Sequence, residues 1–99
     1  MGLDIVVYAK GGNKFIFEMP EKVHQEIFMN GGAVFLLSRK LKDYYLADVK
    51  LSPFEFCEWI GELDSMLEQI PPESQIILKD LICNLKSVGD IEKAHIAGD

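Results

Sequence analysis

The stretch SPFEFCEWIGELDSMLEQIPPESQIILKDLICNLKSV, Ser52–Val88, decides the fold class. Ser52, Pro53 and Glu55 stand in the order of an N-cap, a first-turn proline and the N3 acid of a capping box, which predicts a helix starting at 53. At about 100° per residue, Phe56, Trp59, Ile60, Leu63, Met66, Leu67 and Ile70 gather on one side. Pro71-Pro72 ends that helix and opens another, because proline tolerates a helix start and breaks an interior. Ile77, Leu78, Leu81, Ile82, Leu85 and Val88 form its apolar face, and Gly89 caps it. The expectation is an antiparallel helix pair over 53–70 and 72–88.

Upstream, LDIVVYA and FIFEM flank KGGNK, which predicts two strands joined by a glycine turn. Phe15 and Phe17 alternate with Ile16, so the second strand has apolar groups on both faces. Pro20 and Glu21 suit a helix start, Val23, Ile27 and Phe28 continue it, and Asn30-Gly31-Gly32 stops it. Residues 33–45, AVFLLSRKLKDYY, read as a further helix, with a buried strand as the other reading of Ala33–Leu37. LADVKLS reads as extended and as an addition to the hairpin, and DIEKAHIAGD as a frayed end with one more turn. The fold expected is therefore α+β in one domain, 1–99. It has an N-terminal β-hairpin of two or three strands packed against about four helices, with the 53–70 and 72–88 pair at the C-terminus.

Ninety-nine residues with 48% apolar content suit one globular domain rather than a disordered chain. No apolar run is longer than the five residues of Ala33–Leu37, far too short to span a bilayer. The N-terminus has neither the basic start nor the cleavage site of a signal peptide, which leads to a cytoplasmic expectation. Cys57 and Cys83 lack a C-x-x-C spacing and read as reduced and buried. With His24 and His95, read as partly exposed, they match no zinc pattern, so no metal and no cofactor is expected. The glycine pairs lack phosphate-loop spacing, and no serine has a nucleophile-elbow setting.

Charge is unevenly placed. Residues 1–50 hold seven Lys/Arg and six Asp/Glu, whereas residues 51–99 hold three and ten, within a net charge of −6. Glu55, Glu58 and Glu62 form one row on the first helix of the pair, and Asp64 and Glu68 a second, with no lysine or arginine between 54 and 73. Like charges at this spacing cost a few tenths of a kcal/mol each. Such a field repels nucleic acid and anionic membrane and attracts basic partners. Tyr44, Tyr45 and Phe54 are candidate apolar anchors beside the acids, and Asp43 and Asp48 candidate extensions of the patch.

MGLDIVVY and LLSRKLKDYYLADVKLSPFEF, followed by an acidic helix containing Glu-Leu, resemble small bacterial immunity proteins. These are the inhibitors carried beside polymorphic toxins, including those of contact-dependent growth inhibition. The resemblance covers residues 1–8 and 36–68. It implies a cytoplasmic protein that is not an enzyme and that binds a cognate toxin domain and blocks its active site. No toxin-contact motif of that family maps onto residues here. A basic, nuclease-like toxin fits the acidic helix. Two other readings compete: a small enzyme or ligand-binding domain using carboxylates with His24 or His95, and a homodimer pairing through an open hairpin edge.

Overall fold

The structure is a computed structural model of the chain, and it describes residues 3–30 and 48–98. The first strand, β1 (Leu3–Ala9), turns back into β2 (Lys14–Met19) in antiparallel register, with Leu3 opposite Met19 and Tyr8 opposite Lys14. Gly12 takes a φ of 88° in the turn, a left-handed conformation that favours glycine, and the Ala9 N–H donates to the Asn13 carbonyl at 2.8 Å. Pro20, held extended, leads into α1 (Glu21–Met29). Asn30 ends that helix, its side-chain amide donating to the Glu26 carbonyl at 2.7 Å.

The chain then forms β3 (Asp48–Leu51), α2 (Pro53–Met66), a single 3₁₀ turn at Leu67–Gln69, α3 (Pro72–Lys86) and β4 (Ile91–Ala97). The four strands make one antiparallel sheet in the order β2-β1-β4-β3. The class is α+β, with three α-helices among the described residues.

Four expectations are corrected. The helix pair does not end the chain, because 91–97 is a strand inserted between β1 and β3. The count of about four helices gives way to three among the described residues, with four strands in place of two or three. The helix expected over 53–70 stops at Met66, where the chain tightens into the 3₁₀ turn before Pro71, and the one expected over 72–88 stops at Lys86. β3 does not extend the hairpin directly but pairs with β4, Val49 opposite Ile96. The helix expected over 33–45 lies outside the described residues.

The helices pack on one face of the sheet, α2 against β3 and β4, α3 against β2, and α1 against α3. That inner face contributes Leu3, Ile5 and Val7 from β1, Met19, Leu51, Ala94 and Ile96. They meet Val23 and Ile27 of α1, Phe56, Trp59, Ile60 and Leu63 of α2, and Leu78, Leu81 and Leu85 of α3 in one contiguous core. The outer face carries Val6, Tyr8, Ile16, Lys14, Lys50, Lys93 and His95, the alternate residues of the same strands.

Candidate functional site

Local hydrogen bonding sets the rotation of α2. The Glu55 N–H donates to Ser52 Oγ at 3.2 Å, and the Ser52 N–H donates to Glu55 Oε1 at 3.0 Å. Pro53 stands at the position where a missing N–H costs nothing. With the start pinned, Phe56, Trp59, Ile60, Leu63 and Met66 point into the core. Phe54, Glu58, Gly61, Asp64, Ser65 and Glu68 are left facing solvent, with Glu55 and Glu62 half-buried on one flank.

The five acids thus fall on either side of a strip made by Phe54, Gly61 and Ser65. Glu55, Glu58 and Glu62 lie on one side, Asp64 and Glu68 on the other. Ser65 turns its hydroxyl back to the Gly61 carbonyl at 3.0 Å. Glu55 is committed to its cap, and Glu62 has a partner of its own. Glu58, Asp64 and Glu68 have no ion-pair partner among the described residues. Phe54, at the head of the face, is 73% exposed, an aromatic ring outside the core. The one lysine–carboxylate bridge among the described residues, Lys22 to Glu73 at 3.1 Å, joins α1 to α3 and leaves α2 untouched.

The structure separates Asp48 from this surface. Asp48 is on β3, on the sheet face turned away from the helices, where Oδ1 meets His95 Nε2 at 2.5 Å. The hydrogen bond from His95, then its charge, and to a lesser degree Lys50, hold the Asp48 carboxyl below its ordinary value. Asp43, Tyr44 and Tyr45 lie outside the described residues.

Of the two histidines expected to be partly exposed, His95 is so and His24 is not. His24 is 5% exposed and packs against Phe28 with ring centroids 4.7 Å apart, because α1 turns it inward beside Ile27. It lines a void of only about 10 Å³ with Leu3, Trp59 and Leu63, room for at most one water. His95 is half-buried and tied to Asp48. The cysteines also differ: Cys57 and Cys83 are free thiols on the exposed sides of α2 and α3, rotated away from the core positions that flank them in sequence. Among the described residues no three of His, Cys, Asp and Glu gather where a metal could bind, and no helix is long and apolar enough to cross a membrane.

Two surfaces escaped the sequence reading. On the outer sheet face Tyr8 sits between Lys14 and Lys93, whose ammonium groups are 6.0 and 5.0 Å from the ring centroid. The other is a groove between α2, α3 and the first turn of the hairpin. Both depend on β4 and its approach, Lys93 for the first and Asp90 with Ile91 for the second. Alternation in 3–9 signals an outward Tyr8, but nothing in 90–97 signals which lysine would reach it.

Comparison of the chain with family models, curated proteins and solved structures finds no match. The reading of the site therefore rests on geometry and charge.

Proposed function

We propose that this chain is a binding protein of the immunity type, which takes a basic protein domain on the exposed face of α2 and shields that domain's active surface. The observation that carries the reading is the pairing of an exposed Phe54 with Glu58 and Asp64 of α2 and Glu68 of the 3₁₀ turn that follows it, three carboxylates without an ion-pair partner among the described residues. Such a face supplies the two parts of a protein interface, an aromatic anchor and a rim of charge. The anchor sets residence time, and the rim raises the rate of encounter with an oppositely charged partner. Like charges along a helix weaken it slightly, and α2 withstands this through its capping box and its five buried side chains. A nuclease-like toxin, basic where it holds nucleic acid, is the partner class that matches. The protein would act in the cytoplasm, where exposed Cys57 and Cys83 remain thiols.

The test is capture of the partner from source lysate, followed by rate measurements with that partner purified. A Glu58→Lys/Glu68→Lys variant should associate at least about tenfold more slowly at low ionic strength, and its rate should depend less on salt. Phe54→Ala should leave the association rate and shorten residence. Co-expression of the parent should relieve the partner's toxicity, and the charge-reversed variant should relieve it less. Equal rates for parent and charge-reversed variant would remove α2 from the interface.

A further inference from the structure

The groove between α2, α3 and the hairpin turn has a volume of about 290 Å³. That is close to the lower end of pockets that hold small ligands. Phe56 and Ile60 of α2, Leu85 at the end of α3 and Ile91 at the start of β4 give it an apolar lining. Lys10, from the hairpin turn, and Lys86, from the last turn of α3, line it as well, and both are exposed. Neither lysine has an ion-pair partner among the described residues. Asp90 is the one carboxylate among the lining residues.

Two ammonium groups and one carboxylate leave the groove one positive charge, in a chain whose net charge is −6. We propose that it binds a small amphipathic monoanion, an aliphatic or aryl chain ending in a carboxylate. The apolar body would lie along Phe56, Ile60, Leu85 and Ile91, and the carboxylate would reach Lys10 and Lys86.

Local structure holds the groove open. Gly89 turns the chain from α3 toward β4 with a φ of 84°, a left-handed conformation that favours glycine. The Lys10 N–H donates to the Asp90 carbonyl at 3.2 Å, which ties the hairpin turn to the approach of β4 and sets the spacing of the walls. Pro53 borders the groove and has no N–H, so the start of α2 does not offer a donor there, and recognition of the anion falls to the lysines. Asp90 disfavours a second negative charge, which selects a monoanion over a phosphate monoester. This site does not depend on the partner reading of α2: its lining includes none of Glu58, Asp64, Glu68 or Phe54.

The test is a ¹⁵N–¹H titration of the full chain with sodium octanoate, hexanoate and octanamide. Octanoate should shift the amides of Cys57, Lys86, Gly89 and Ile91 saturably, and hexanoate should bind about tenfold more weakly, as the loss of two buried methylenes requires. Octanamide, with the same body and no charge, should bind at least about fivefold more weakly. Lys10→Gln/Lys86→Gln, at two exposed positions, should keep the remaining spectrum and bind octanoate no better than octanamide. Cys57→Trp, which fills the rim, should abolish the shifts. Absence of saturable shifts at these amides overturns the site, and equal binding of octanoate and octanamide, or unchanged octanoate binding in the double lysine variant, overturns its preference for an anion.

Discussion

Ser74 is fully buried in the first turn of α3, and its hydroxyl has no hydrogen-bond partner among the described residues. A buried hydroxyl without a partner has lost its water and gained nothing, at a cost on the order of 1–3 kcal/mol. Alanine removes that group, leaves almost the same volume and favours the helix. Ser74→Ala should therefore stabilise the protein by about 1 kcal/mol, read in urea as a higher midpoint with an unchanged slope. Asp48 presents the opposite situation, a polar group with a strong partner. Its carboxyl is held below the ordinary 3.8 by the hydrogen bond and charge of His95. A carboxyl depressed in the folded state contributes its stability above the unfolded value and loses it as pH falls through the folded one. The advantage of the parent over Asp48→Asn should thus be present at neutral pH and fade below about pH 4. In His95→Ala the Asp48 carboxyl, followed by carbon NMR, should titrate closer to 3.8. An unchanged titration would mean that the pair is not closed in solution.

At the scale of the element, α2 depends on its start. The reciprocal Ser52–Glu55 cap satisfies two N–H groups that the helix cannot satisfy within itself. Ser52→Ala should cost about 1 kcal/mol and Ser52→Gly only a few tenths, since glycine lets water and backbone replace the hydroxyl. Thermal unfolding of the pair separates the cap from a general effect of the site: equal losses would show that the hydroxyl is not the cause. The same cap explains why the rotation of α2 is legible in the sequence. Ser52, Pro53 and Glu55 are local signals, and once they locate the helix start, the 3.6-residue period places Glu58 and Asp64 on its outer side. The end of α2 was not legible, because Leu67 and Ile70 keep the helical period after the backbone has tightened at Leu67–Gln69. β4 was less legible still. Its inward residues are Ile91, Ala94 and Ile96, and the register shift opposite Tyr8 and Ala9 breaks the two-residue alternation. Two of its seven residues are alanines, poor strand formers that only a tertiary partner holds extended. Without β4, nothing could place His95 beside Asp48, and Asp48 remained an apparent neighbour of the α2 acids.

At the scale of the whole molecule, β4 joins parts that are remote in the chain. It pairs with β1 through Val7–Ala94 and with β3 through Leu51–Ala94, so Ala94, with no exposed surface, sits at the junction of the sheet. The sheet order places the hairpin on one side of β4 and β3 with its attached α2 on the other. Removing residues 90–99 would leave two pieces of sheet without hydrogen bonds between them. It would expose the β1 and β3 edges to other chains and strip Ile91, Ala94 and Ile96 from the core. Against a total stability of about 5–15 kcal/mol for a domain, that loss is decisive. A chain ending at Gly89 should lose cooperative urea unfolding, show far-UV signal from α2 and α3 below that of the parent, and associate at micromolar concentration. A synthetic peptide of residues 90–99 added in excess should restore the cooperative transition, because its register against β1 and β3 is set by Ala94 and Ile96 on one face and His95 on the other. An Ala94→Asp peptide should fail to do so, since it would place a charge where the sheet meets α2. Cooperative unfolding of the shortened chain by itself would mean that the helices and the hairpin form a stable unit without the central strand, and the order β2-β1-β4-β3 would then not be what holds the fold together.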